Sequence, residues 1–235
     1  MKKNKFTIGK IIGTSILILL LGIGIAWYNS TTVRNFVGRK IATSAISNPA
    51  PPPKRQHAIL DSAYLKQFHN GDIMLRRGFG LITESLLDGM EGKYPVTHCG
   101  VLYKGEQDTM WQIIQAESND VAEGVYKEDV RIFIVNSFPK SLAVVRLKAP
   151  KPQQEVFMNS ILYYLDKKAP FDYDFNDQDT SQLYCTEMID LSLQKATSKH
   201  LLPIRTSEAH FEGPSFDNFF DTTNFHILFN QTKVK

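Results

Sequence analysis

Only two cysteines, Cys99 and Cys185, occur in the 235 residues, so the chain has no C-x-x-C pair from which to build a zinc site. Acidic residues are missing from the whole N-terminal quarter: no Asp or Glu precedes Asp61, while nine of the 27 Lys and Arg fall in positions 1 to 55. The formal charge of +3 therefore hides a split, because positions 56 to 235 hold 18 basic against 24 acidic residues. A basic excess confined to a terminal arm suits anionic lipid, and nucleic acid is not an expected partner of the acidic remainder. No internal repeat is present.

What the arm does contain is a long apolar run. Ile11 to Tyr28 has Thr14 and Ser15 as its only polar members before Tyr28, and the basic segment 1–10 precedes it. That length sits near the short end of what spans a hydrocarbon core of roughly 30 Å. No A-x-A site follows closely and no cysteine is near enough to accept a lipid, so residues 11–28 are read as a transmembrane anchor, with a cleaved signal peptide as the alternative. Lys2, Lys3, Lys5 and Lys10 slightly outweigh Arg34, Arg39 and Lys40, which favours a cytoplasmic N-terminus and a periplasmic or otherwise extracytoplasmic domain. Residues 29–56 read as a basic, Pro-rich linker, with a short helix over Val33 to Ile46 and a polyproline-like spacer from Asn48 to Arg55. The working domain is 57–235, long enough to bury one core.

Within it, short β-rich runs come first: Asp72–Arg77, His98–Lys104, Thr109–Glu117, Val130–Val135 and Leu142–Lys148. Leu81 to Met90 has helical spacing between the first two. After Pro150 and Pro152 the texture turns helical, over Gln153–Lys167 and again from about Tyr184. Strands followed by helices predict an α+β fold with an antiparallel sheet. The tail holds Phe211, Phe216, Phe219, Phe220, Phe225 and Phe229 and is expected to close over the core or line a cleft.

Two segments 87 positions apart carry the chemistry: Thr97-His98-Cys99-Gly100-Val101 and Tyr184-Cys185-Thr186-Glu187-Met188. A cysteine in the first turn of a helix is favoured as thiolate by the dipole and first-turn amides, and a nearby imidazole takes its proton. Asp179, Thr180 and Ser181 supply capping residues upstream. Strand alternation puts Cys99 on the opposite face from His98, which makes Cys99 a core residue rather than a disulfide partner or a co-ligand of zinc. Thr97 and Gly100 keep the strand slim beside His98. The alternating run from Trp111 to Glu117 places Gln115 and Glu117 on one face, with Glu117 the preferred residue to orient His98 and Gln115 the alternative. Asp172-x-Asp174-x-Asn176 opens like a calcium loop, but Asp177 and Leu183 stand where glycine and glutamate are needed.

Taken together, Gly71-Asp72-Ile73, Thr97-His98-x-Gly-Val, Gln115-Ala116-Glu117 and Tyr184-Cys185-Thr186-Glu187 resemble the permuted papain-like amidases of the NlpC/P60 superfamily, over roughly Phe68 to Phe229. The resemblance implies a circularly permuted papain-like fold and a Cys-His-Glu triad, transferred here to Cys185, His98 and Glu117, with Tyr184 helping to form the oxyanion environment and no cofactor. Cys99 and Met188 depart from the family's aliphatic residues without touching the triad. The expected activity is a membrane-anchored cysteine hydrolase of the cell envelope, cleaving a peptide or N-acyl amide through an acyl-thioester. A non-catalytic ligand-binding module of the same fold, or a lipid acyltransferase or esterase, are the alternatives.

Overall fold

The computed structural model describes residues 56–80, 83, 84, 86, 87, 92–119, 122–176, 178–206 and 212–233. The expected basic segment, anchor and linker, and with them the Val33 to Ile46 helix, lie outside the described residues. So does most of Leu81 to Met90, of which positions 83, 84, 86 and 87 are helical. Among the described residues no helix is long and apolar enough to cross a membrane.

The fold is α+β. A short helix α1 (Ser62–Leu65) precedes strands β1 (Ile73–Arg76), β2 (His98–Tyr103), β3 (Gln112–Ser118) and β4 (Glu123–Asp129). Helix α2 (Val130–Val135), strand β5 (Ala143–Leu147), and helices α3 (Lys151–Lys167) and α4 (Cys185–Thr197) follow. A two-stranded ribbon of β6 (Ile204–Thr206) and β7 (Glu212–Pro214), a 3-10 turn (Phe216–Phe220) and β8 (Phe225–Asn230) complete it. The main sheet is antiparallel throughout, in the order β4-β3-β2-β1-β5-β8.

Side-chain alternation divides the sheet into two dry faces. Ile73, Leu75, Cys99, Val101, Ile114 and Ala116 point to one face, where Met188, Ile189 and Leu193 of α4 and Phe157 and Ile161 of α3 cover them. Met74, Leu102, Ile113 and Val144 point to the other, against Val130 and Phe133 of α2 and against Phe68. The aromatic tail closes the first face, with Phe216, Phe219, Phe220 and Phe225 all buried there.

One expected strand is a helix instead. Val130-Arg131-Ile132-Phe133-Ile134-Val135 is rich in β-branched residues, yet it forms α2. The Asp129 side chain accepts the Arg131 amide at 2.8 Å as an N-cap, and the buried pair Val130 and Phe133 is spaced i, i+3 rather than in alternation. Tertiary packing and a cap override the β-propensity. The strand in this region is β4, which pairs with β3 along its whole length, from Gln112 opposite Asp129 to Ser118 opposite Glu123.

Gly124 in β4 has φ +84, and a Cβ built there would stand 2.3 Å from the Ala169 carbonyl oxygen. That approach holds the Val125 N–H on the same carbonyl at 2.8 Å and ties the sheet edge to the segment after α3. Gly124→Ala therefore costs stability by backbone strain and steric displacement together, about 2 kcal/mol or more, read as a lower urea midpoint with the same m-value.

Candidate active site

The segment leading to Cys185 is held by backbone pairing. Leu183 N–H donates to the Pro170 carbonyl at 2.9 Å and Asp172 N–H to the Leu183 carbonyl at 3.2 Å. The Asp172 carboxylate is occupied by its own turn, accepting the amides of Asp174 and Asn176 at 2.8 and 2.7 Å. Helix α4 then begins at Cys185, with Tyr184 as N-cap rather than any of the three residues proposed from sequence; Asp179 caps a local turn by accepting the Ser181 amide. Glu187 closes the cap by accepting the Tyr184 N–H at 3.3 Å. Cys185 thus occupies the first helical position, where amides lack intrahelical acceptors and the dipole favours an anion. Tyr184 is buried, with its ring 5.2 Å from that of Phe175.

His98 reaches the thiol from the other side of the sheet. As the first residue of β2, opposite Arg76 in β1, it sits at a strand end, where its imidazole comes near enough to Cys185 for each to shift the other's pKa. Its Nε2 is committed to Gln115 Oε1 at 2.8 Å. The amide of Gln115 is itself fixed, because its Nε2 donates to Glu128 Oε1 at 2.7 Å and to the Tyr126 hydroxyl at 3.0 Å. Gln115 Oε1 must therefore accept, His98 Nε2 carries a proton, and Nδ1 is the nitrogen left for Cys185.

Of the two residues that sequence alternation offered for orienting His98, the hydrogen bond belongs to Gln115. Glu117 stands farther off, 3.9 Å from Nε2, because its carboxylate is taken up elsewhere. Arg76 donates to Glu117 Oε1 at 2.7 Å, and Tyr126 and Asn119 donate to Oε2 at 2.9 and 3.0 Å. Burial lowers the His98 pKa, but the Glu117 charge and then Cys185 raise it above its ordinary value, with Arg76 opposing them.

Cys99 is the core residue that alternation predicts. It is fully buried, as alternation requires, but its face of the sheet is the one on which α4 lies, so its thiol sits against Cys185 instead of away from the site. The hydrogen bond from Cys99 is the largest influence holding Cys185 well below the usual thiol range; burial opposes it and His98 reinforces it. Burial pushes Cys99 itself up, and the neighbouring Cys185 anion adds to that. The electrostatics thus favour a Cys185 thiolate beside a His98 imidazolium. Gly100, which keeps the strand slim beside His98, makes room for Ile113: a Cβ there would lie 2.7 Å from that side chain.

Arg76 was not singled out from the sequence. Its side chain is buried, packs over the Phe133 ring at 4.4 Å and donates to the carbonyls of Phe133 and Asn136 at 3.3 and 3.2 Å. Strand parity carried the available signal, since Arg76 alternates with the inward Met74 and so faces α2.

The two positioning contacts separate kinetically. Gln115→Leu frees the imidazole to rotate and lowers kcat about 100-fold with a much smaller change in KM. Glu117→Gln retains the Gln115 contact, and its expected signature is an alkaline limb of the pH–rate profile moved to lower pH, because the carboxylate that raises the His98 pKa is gone.

No family model and no curated protein matches the chain. Among solved structures, the fold is similar to that of a metalloprotein, yiiX, from Escherichia coli O157:H7, at TM-score 0.55 and 13% identity, over 69% of this chain and 97% of that one. Among the described residues no group of three or more His, Cys, Asp and Glu is placed to hold a metal ion.

Proposed function

We propose that the chain is a thiol hydrolase of the permuted papain-like, NlpC/P60 type, tethered by residues 11–28 to a membrane with its domain on the extracytoplasmic side. The observation that carries this reading is the approach of Cys185, at the first position of α4, to an imidazole whose Nε2 is held by Gln115, with the electrostatics favouring the thiolate.

In this reaction Cys185 Sγ attacks the carbonyl carbon of an amide or ester. The first-turn amides of α4 stabilise the oxyanion, and Tyr184 beside the nucleophile completes that environment. His98 Nδ1–H protonates the leaving group as the tetrahedral intermediate collapses to the acyl-thioester. The neutral imidazole then deprotonates a water, which releases the acid and restores the thiol. Gln115 keeps the Nε2–H tautomer throughout, and Glu117 with Arg76 sets the field around the ring. The solved structure of similar fold is described as a metalloprotein, but the described residues do not form a fitting donor set, and His98 Nε2 is held by Gln115. No step is routed through a metal.

The test is covalent trapping. Incubation with an activated acyl ester and with an N-acyl peptide amide, quenched in acid, gives an intact-mass increase equal to the acyl group, mapped to Cys185. An adduct on another residue, or none from either reagent with folded protein, overturns the reading.

A further inference from the structure

In the proposed hydrolysis Cys99 forms no bond, yet it is placed as a second sulfur nucleophile. Its side chain leaves β2 on the face that α4 covers, together with Val101, and is fully buried there. Cys185 packs against that same cluster from the first position of α4 and is only half-buried. The pairing of β2 with β3 runs from Tyr103 opposite Gln112 to Val101 opposite Ile114, and Cys99 lies two residues past it. There its N–H and its thiol are both directed at the Cys185 sulfur. The chain holds no third cysteine to compete with either.

An accessible thiol is thus backed by a buried one. An oxidant arriving from solvent meets Cys185 first, because Cys99 has no exposed surface. Cys185 is also the thiol that ionises: the Cys99 hydrogen bond and His98 hold it low, while burial pushes Cys99 up. A sulfenic acid formed on Cys185 has two fates. It is oxidised further to sulfinic and sulfonic acids, which ordinary thiols do not reverse, or it condenses with a neighbouring thiol to a disulfide, which they do. Cys99 supplies that neighbour from behind, where no solvent has to enter.

We propose that Cys99 is the resolving thiol of a hydroperoxide-sensitive switch, closing a Cys99–Cys185 disulfide that reversibly withdraws the nucleophile. The Cys185 thiolate attacks the distal oxygen of a hydroperoxide, ROOH. The O–O bond breaks, sulfur gives up two electrons, and the departing alkoxide takes the His98 imidazolium proton, leaving Cys185–SOH and ROH. The Cys99 thiol then attacks the Cys185 sulfur, the S–O bond breaks, and the Cys99 proton leaves with the hydroxide as water. A thiol reductant reopens the bond by exchange, two of its thiols becoming one disulfide. The bond itself needs only the two cysteines; that closing it stops turnover rests on the hydrolase reading.

The full chain, reduced and then freed of reductant in detergent, is exposed to increasing hydrogen peroxide, denatured in N-ethylmaleimide and mapped by peptide mass without reduction. The expected result is that both thiols disappear together and the two cysteine peptides are found joined within one chain. Acylation by the activated acyl ester falls in the same proportion, and dithiothreitol restores both thiols and the acylation completely. In Cys99→Ala, dimedone traps a sulfenic acid on Cys185 that the unsubstituted chain does not accumulate, and acylation lost to higher peroxide does not return with dithiothreitol. The unsubstituted chain decides the matter by itself. Cys185 carried to sulfinic acid with Cys99 still alkylated by maleimide overturns the switch, as does a disulfide that joins two chains, or two thiols that both stay free. A chain that closes the bond but, when reduced, is acylated by neither acyl reagent defeats only the hydrolase reading; one that is acylated but closes no bond defeats only the switch.

Discussion

Cys185→Ala abolishes turnover and acyl-adduct formation while leaving the fold intact. In the proposed hydrolase the thiol is the group that bonds covalently to substrate, so its loss removes the pathway rather than slowing one step of it. The expected fall in kcat is at least about 10⁴-fold, with any remainder coming from binding and oxyanion contacts. Cys185→Ser is expected to be nearly as inactive, because a hydroxyl is not ionised by the influences that ionise the thiol. Cys99→Ala behaves differently. It deletes the hydrogen bond that most lowers the Cys185 pKa, so it raises the pH at which the thiolate appears and lowers activity in the acid range without abolishing it. Full activity in a folded Cys185→Ala protein contradicts the assignment.

Arg76→Leu is the largest stability loss expected from a single change in the site. It leaves the Glu117 carboxylate without its guanidinium and the Asn136 carbonyl without the Arg76 donor, while the Phe133 carbonyl keeps the Ser137 hydroxyl alone. Breaking a buried pair from one side costs about 3–5 kcal/mol, whereas replacing both partners by apolar groups costs much less. Arg76→Leu with Glu117→Leu is accordingly more stable than Arg76→Leu alone. The pH dependence gives the sign. Burial raises the Glu117 pKa, but Arg76, His98, Tyr126 and Asn119 outweigh it and bring it down to about 2. A folded-state pKa below the unfolded one adds stability that is complete above the unfolded value near 4.5 and is lost as pH falls toward 2. Arg76→Leu raises the folded-state value, so urea midpoints measured from pH 7 downward show a shallower acid loss. An acid limb as steep as in the unsubstituted protein contradicts the pairing.

Much of this was legible in the chain, for physical reasons that also mark where legibility stops. β1, β2, β3 and β5 were visible because short apolar, β-branched runs bury on both faces of the sheet, and α3 and α4 because their apolar positions recur at helical spacing. Val130–Val135 misled for the same reason, since its β-branched content is decisive only when no cap and no i, i+3 burial compete. β4 was overlooked because Glu123-Gly124-Val125-Tyr126-Lys127-Glu128-Asp129 contains too few apolar residues to declare a strand; its partners in β3 declare it. In the site, His98 and Cys185 followed from residue type and local position. Alternation put Gln115 and Glu117 on one face but could not rank them, because the ranking depends on Arg76, Tyr126 and Asn119, which draw Glu117 away from the ring. Alternation likewise placed Cys99 correctly in the core but could not show that α4 brings Cys185 beside it: which face the helix covers is a property of the assembled fold. The proposal of an NlpC/P60-type hydrolase rests on the resemblance of the ordered motifs.

The central claim is that Cys185 and His98 form a thiolate–imidazolium pair, and the rate of alkylation by iodoacetamide against pH tests it most directly, with the modified residue identified by peptide mass. The account predicts that Cys185 is alkylated first, at pH values well below the usual thiol range, with Cys99 protected until unfolding. His98→Ala moves the Cys185 midpoint upward toward an ordinary thiol. A Cys185 midpoint in the ordinary thiol range, unmoved by His98→Ala, contradicts it.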